Sequence, residues 1–362
     1  MSTGEPACRA WYAAPRCVLR CSLVATYSGV RDVSGEDDLG PDNHSRMSDG
    51  VSDSRPEWVR VRREQQDIVK PPSMSVAETQ TVLPTDGLAT LGGRVVHVAS
   101  QAGSGPPIVL LGGCGVPSYD WDSVADLLPN AALVRLDRPG LLGSEWPDEL
   151  PQLAAEVATL EALVAITGPA IIVAHSMAGF HAEALVRKRP DLVVGLVLAD
   201  GSVELNPSRP KSRGGWLWLA RFVRKAMGIP ALRLLSSFTQ RLLVAAQSHR
   251  SVTEPVSSVT RQTFRSAETI ASVLAEQAAY AEQAWDLAEF RKDHPWPGVP
   301  TVVLTAAEKG GARWIAKQAE LAEMLKAPQI VVEDSRHLIM IDRPDVVAQA
   351  VRALREGGDD HG

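Results

Sequence analysis

The stretch Ile171-Ile172-Val173-Ala174-His175-Ser176-Met177-Ala178-Gly179-Phe180 constrains this chain more than any other. A short apolar run ends in small-x-Ser-x-small, and a helical pattern begins at once. A buried strand that turns sharply into a helix accommodates that order, with the serine at the tip of the turn. Ala174 and Ala178 flank Ser176 two residues away on each side, where larger side chains would clash with neighbouring backbone. A serine hydroxyl is a weak nucleophile and needs a base beside it and donors facing the developing oxyanion. A turn of this kind supplies part of that, because it lifts the hydroxyl clear of the sheet and aims the Met177 N–H at a reacting carbonyl oxygen. A buried corner carrying an incidental serine is the bland alternative, and the rest of the chain has to decide.

Downstream of Gly87 the pattern is regular. Residues 87–91 and 94–99 alternate or are β-branched and flank Gly92-Gly93, which predicts a hairpin. Short apolar runs at 108–111, 132–136, 171–174, 193–199, 301–305 and 329–332 predict buried strands. Helical spacing appears between them, as in Leu153, Val157, Leu160, Leu163 and Val164. Strands alternating with helices predict a largely parallel sheet covered on both faces. The alternation stops at Asp200. From Ser202 to Pro297 the pattern is mainly helical, with Ile270, Val273, Leu274, Gln277, Tyr280, Ala284 and Leu287 forming one long face. This block is expected as an insertion at the C-terminal edge of the strands, where such sheets bind ligands. The expected domains are 81–201 with 298–358 as the core and 202–297 as the helical insertion.

Residues 1–80 have a different composition. Asp, Ser, Gly, Arg and Pro dominate from Ser28 to Ser73, too little apolar surface to offset chain entropy, so disorder is expected. The apolar stretch from Cys17 to Ala25 is short and interrupted by Arg20, which disfavours a signal peptide. Met47 and Met74 are both available as starts, and Met74 is preferred because the periodic sequence begins soon after it.

Composition excludes several function classes. The formal charge of −6 is spread along the 362 residues without a basic block, so no nucleic-acid footprint is expected. No uncharged apolar run reaches membrane-spanning length. The four cysteines form neither a disulfide framework nor a zinc spacing, so a reducing, cytoplasmic setting and no metal are expected.

Four features together resemble the α/β-hydrolase family over roughly Gly87 to Arg355. They are the turn at Ser176, the glycine-rich Leu110-Leu111-Gly112-Gly113-Cys114-Gly115, the Asp137-Arg138-Pro139-Gly140 loop, and Asp334-Ser335-Arg336-His337 followed by Asp342-Arg343-Pro344. They stand in the family's order, each at the end of the matching strand. The resemblance implies an α/β-hydrolase fold with a helical cap. It implies Ser176 as nucleophile, His337 as base, and an oxyanion hole made by the backbone N–H groups of Cys114 and Met177. Two departures stand out: Gly112 replaces the family's usual histidine, and Lys309 stands about where its acid is expected. The acid is therefore open between Asp200, at the end of the sixth strand, and Glu308, with Asp200 preferred. His175 is expected to pack or hydrogen-bond rather than act as a second base. Cys114 is disfavoured as a reactive thiol, since no residue is placed to be its own base.

The expected activity is cofactor-independent hydrolysis of a small-molecule carboxylic ester through an acyl-enzyme on Ser176. Amide, lactone and carbon–carbon hydrolysis remain open, as do acyl transfer and perhydrolysis, because fold alone does not choose among them. Dehalogenase and epoxide hydrolase chemistry is disfavoured, since those relatives carry aspartate where Ser176 stands. A non-hydrolytic binding or receptor-like relative is the alternative, motivated by Gly112 and Lys309. The segment Trp216, Leu217, Trp218, Leu219, Phe222 and Val223, with Arg221, Arg224 and Lys225, is expected as a lid or packed helix, membrane contact being disfavoured.

Overall fold

Strand β5 (Ala170–His175) is buried at all of its positions, which requires cover on both sides. The computed structural model describes residues 82–210, 214–255 and 257–359. The expectations for residues 1–80, including the choice between Met47 and Met74, lie outside them.

The other strands are β1 (Asp86–Leu91), β2 (Arg94–Gln101), β3 (Ser104–Leu111), β4 (Ala131–Asp137), β6 (Val193–Ala199), β7 (Thr301–Ala306) and β8 (Gln329–Val332). They form one sheet in the order β1-β2-β4-β3-β5-β6-β7-β8. β2 pairs antiparallel with both β1 and β4, and the remaining pairs are parallel. The β1–β2 turn is Gly92-Gly93, with φ of 56° and 79°; positive φ at both central residues matches the twist of the hairpin, and glycine adopts it without strain.

The helices are α1 (Asp122–Asp126), α2 (Leu153–Thr167), α3 (Ala178–Lys188), α4 (Gly214–Ala226), α5 (Pro230–Gln247), α6 (Ser258–Thr263), α7 (Ala267–Asp293), α8 (Gly311–Met324), α9 (Ile339–Asp342) and α10 (Pro344–Asp359). Successive strand residues point to opposite faces, so the sheet divides its apolar residues between two cores. Ile172, Ala174, Leu196 and Leu198 join Leu160, Phe180, Leu185 and Leu321 on the side of α2, α3 and α8. Ile171, Val173, Val197 and Ala199 join Trp121, Val124, Val347 and Val351 on the side of α1 and α10. The expected mostly parallel sheet, helix-covered on both faces, is what the chain forms.

Among the described residues, four helices, α4 to α7, stand between β6 and β7. The buried face of α7 matches the expected apolar one at Ala284 and Leu287 and departs from it earlier, where Ile270, Val273, Leu274, Gln277 and Tyr280 are only partly buried. In its N-terminal half the buried apolar residues are Ala271, Ala275 and Ala279, beside Thr269, Ser272, Glu276 and, further on, Gln283. Small residues let the helix approach closely; a Cβ on Gly140 would lie 2.2 Å from Ser272 Oγ. The polar residues meet loop backbone that a purely apolar face would leave unsatisfied. Thr269 Oγ1 donates to the Gly140 carbonyl at 2.7 Å, Glu276 accepts from the Gly115 N–H at 2.9 Å, and Gln283 donates to the Pro151 carbonyl at 3.0 Å. Hydrophobic period alone hides such a face.

In α4 the expected packing holds for one side. Ala220, with Leu217 beside it, packs against Ala271, Ala275 and Trp146. Trp218 and Phe222 face outward, 66% and 53% exposed, and their rings stack on each other at 5.5 Å. Among the described residues, no helix is long and apolar enough to cross a membrane.

Candidate active site

β5 ends in a backbone conformation that L-residues rarely adopt: Ser176 has φ of 52°. Its carbonyl accepts the N–H of Gly179, in the first turn of α3, and that of Ser202, which follows β6, both at 2.9 Å. The turn is thus held from both neighbouring elements. Strain of this kind persists only where surrounding structure over-determines it. The result is a serine hydroxyl presented beyond the C-terminal edge of the sheet.

β6, next in the sheet, ends the same way, with Asp200 at φ of 49°. Its side chain is fully buried. The loop after β8 brings in His337. Its Nδ1 lies 2.6 Å from Asp200 Oδ2 and its Nε2 lies 3.0 Å from Ser176 Oγ. With the carboxylate ionised, Nδ1 carries the proton and Nε2 is free to accept from the serine. Burial would raise the Asp200 carboxyl, but the Lys309 charge and the His337 hydrogen bond outweigh it and hold it at about 2. His337 is pushed below the usual histidine value by burial first and the Lys309 charge second, against the opposing pull of Asp200.

Of the two carboxylates left open by the sequence, Asp200 meets His337 and Glu308 does not. Glu308 is 43% exposed, pairing with His249 Nε2 at 3.2 Å and Arg336 Nε at 3.5 Å. Its carboxyl is lowered chiefly by the His249 hydrogen bond.

The glycine-rich loop after β3 lies against the serine. A Cβ on Gly113 would sit 2.6 Å from Ser176 Cβ, so only glycine permits this approach. The Gly113 N–H donates to His175 Nδ1 at 3.3 Å, and that of Gly115 to Glu276. Between them, the Cys114 N–H makes no hydrogen bond among the described residues. Met177 stands at the N-terminus of α3, where backbone N–H groups lack intrahelical partners. The absence of a histidine at Gly112 has a local cause: a Cβ there would lie 2.1 Å from the Val116 carbonyl oxygen. The bracing comes instead from Arg138, which donates to the Gly113 carbonyl at 2.5 Å and pairs with Glu276 at 2.9 Å. The Cys114 thiol donates to the Val273 carbonyl at 3.6 Å, and burial pushes it well above the ordinary thiol value, which makes a poor nucleophile.

His175 binds two loops together. Its Nε2 donates to the His337 carbonyl at 3.0 Å while Nδ1 accepts from Gly113. Burial, then the neighbouring His337 charge, hold it far below the usual histidine value, so it stays neutral in the tautomer these bonds require. Three contributors escaped sequence reasoning: Glu276, Trp314 and the role of Lys309. Glu276 breaks the apolar face of α7, a visible signal. Trp314, whose Nε1–H donates to Asp200 Oδ1 at 2.7 Å, leaves no signal in sequence. Among the described residues, no group of three or more His, Cys, Asp or Glu is gathered to hold a metal ion.

Residues 108–350 match the alpha/beta hydrolase family. The chain belongs to that family. Over 117 residues it is 35% identical to the lipase LipV of Mycobacterium tuberculosis, an overlap of 32% of this chain and 44% of that protein; the chain thus spans less than half the length of this relative. Solved structures with the same fold include a thermophilic esterase from Thermogutta terrifontis (21% identity, TM-score 0.55, 74% of this chain and 97% of that one). A haloalkane dehalogenase variant from Bradyrhizobium elkanii is another (17% identity, TM-score 0.56, 76% and 99%). An epoxide hydrolase shares it too. At these identities the likeness concerns fold, and the hydrolases concerned cut different bonds.

Proposed function

We propose that this protein is a serine hydrolase that cleaves a small-molecule carboxylic ester through an acyl-enzyme on Ser176. The observation that carries the reading is the continuous hydrogen-bonded chain from Ser176 Oγ through His337 to Asp200, at 3.0 Å and 2.6 Å. His337 Nε2 takes the serine proton as Oγ bonds to the carbonyl carbon, and the imidazolium that forms is stabilised by Asp200. The oxyanion is held by the N–H groups of Cys114 and Met177. Collapse expels the alcohol, protonated by His337, and leaves the acyl group on Ser176. Water then attacks that ester with His337 again as base, releasing the acid and restoring the serine.

The serine at the turn favours this over haloalkane or epoxide chemistry, for which related enzymes place aspartate there. Neither departure from the family pattern argues for a binding-only relative: a local steric contact accounts for Gly112, and Lys309 lies beside an acid supplied by the neighbouring strand. Fluorophosphonate labelling is the test. Stoichiometric labelling of the wild type, lost in Ser176→Ala together with hydrolysis of chromogenic esters, is expected. Folded wild type that neither labels nor hydrolyses any ester of graded acyl length would favour a ligand-binding role.

A further inference from the structure

Lys309 takes no part in the steps above, yet it lies against their acid. It follows β7, in the loop before α8, where the family pattern leads one to expect an aspartate. Its ammonium sits 3.2 Å from Asp200 Oδ2, the oxygen that also accepts the His337 Nδ1–H at 2.6 Å. Its Nζ lies 3.8 Å from the centroid of the Trp314 ring. The Trp314 Nε1–H and the Ala306 N–H donate to the other oxygen, Oδ1, at 2.7 Å and 3.1 Å. Two donors, the Lys309 ammonium and the His337 imidazole, therefore share one carboxylate oxygen, while the second oxygen is pinned by two neutral donors.

Resting on the serine-hydrolase reading, we propose that Lys309 is a positioning residue for His337, one that fixes the Asp200 carboxylate against the imidazole and weakens the imidazole's hold on a proton. An aspartate partner alone favours imidazolium, the form that cannot accept the serine proton. A lysine on the same oxygen offsets that pull. Because both nitrogens contact one atom, they lie within about 6 Å of each other, where at an effective dielectric of about 20 a unit charge moves a pKa by about two units. Lys309 keeps 21% side-chain exposure, so screening reduces this to about one unit.

The other charged and titratable groups nearby do not compete for this role. His175, with its ring centroid 4.5 Å from that of His337, is held neutral by burial. Lys317 pairs with Glu204 at 3.2 Å. Glu308, Arg336 and His249 form a separate, more exposed cluster. Within the described residues, Lys309 is the side-chain cation paired with Asp200, whose other side-chain partners are the His337 imidazole and the Trp314 indole. An acid delivered from β6 and a counter-charge delivered from the loop after β7 thus meet beside the Nδ1 of His337.

The pH dependence of kcat/KM for p-nitrophenyl butyrate tests this, using the full chain as wild type, Lys309→Met and Lys309→Arg. The acid limb is expected to rise by about one unit in Lys309→Met, and to stay near the wild-type position in Lys309→Arg. A folded Lys309→Met whose limb does not move overturns the proposal. A purely structural lysine lowers melting temperature and activity without displacing the limb, so that pattern overturns it as well. If Lys309→Met fails to fold by circular dichroism, Lys309→Gln takes its place under the same criteria. Failure of the hydrolase reading is separable, because it shows as wild type that neither labels with fluorophosphonate nor hydrolyses esters. In that event the His337 titration followed by NMR decides. The same upward shift in the uncharged variant supports the proposal, and its absence overturns it.

Discussion

Replacing Asp200 with asparagine separates orientation of the base from every other contribution at this site. The carboxylate is fully buried and accepts from four groups: Ala306 N–H and Trp314 Nε1–H on Oδ1, His337 Nδ1–H and the Lys309 ammonium on Oδ2. The first two donors cannot become acceptors, so they select the amide oxygen at Oδ1 and leave the NH2 facing His337. An N–H donor there requires Nδ1 to be the acceptor, which moves the ring proton to Nε2 and points it at Ser176. A base in that tautomer cannot take the serine proton. The expected loss is about 10⁴-fold in kcat, or about 5 kcal/mol of transition-state stabilisation, with KM little changed. The same substitution strands a mostly buried ammonium beside an amide, at a cost of roughly 3–5 kcal/mol in stability. Adding Lys309→Met should restore much of the melting temperature and none of the kcat. Steady-state hydrolysis of a chromogenic ester, with thermal melts of each variant, reads both quantities. The reasoning is refuted if folded Asp200→Asn keeps kcat within tenfold of wild type, or if Glu308→Gln is the variant that loses activity.

Other expectations follow from the same geometry. Gly113→Ala places a methyl 2.6 Å from Ser176 Cβ and 2.8 Å from His175 Nδ1; the loop must shift, and kcat is expected to fall about 100-fold through a displaced oxyanion donor, so an unaltered kcat counts against the Cys114 assignment. Since His337 is lowered from its usual value of 6.5 by burial and by Lys309, and hydrolysis needs its neutral form, the acid limb of wild-type kcat/KM should lie below pH 6.5; a limb above 7 contradicts this. Glu276→Ala removes the partner of both Arg138 and the Gly115 N–H, leaving a buried guanidinium without its carboxylate, and denaturant titration should show a loss of about 3–5 kcal/mol.

Much of the fold is legible in the chain because its signals are local. Runs such as 171–174 and 193–199 are apolar at nearly every position, as doubly covered strands must be. Gly92-Gly93 supplies the positive φ of a tight hairpin. The small residues around Ser176 permit its turn. Each depends on neighbours a few residues away, so spacing and residue type suffice. The N-terminal half of the buried face of α7 was not legible in this way, although its later residues Ala284 and Leu287 were. Its apolar period points to Ile270, Val273 and Leu274, whereas its packed face is chosen by loops more than 100 residues earlier that need small side chains and hydrogen-bond partners.

By itself, the sequence determined the alternating strands and helices, the strand-to-helix turn that lifts Ser176, and the loop that delivers His337. Only the tertiary structure decided which of the two carboxylates lies against His337, and that Lys309 lies against the same one. Asp200 and His337 are 137 residues apart, and their approach depends on β6 lying beside β5, on the left-handed turn at Asp200, and on the path of the loop after β8. Those are properties of packing between distant segments, where a displacement of a single bond length breaks a hydrogen bond, and no pattern of residue types along the chain encodes distances that fine.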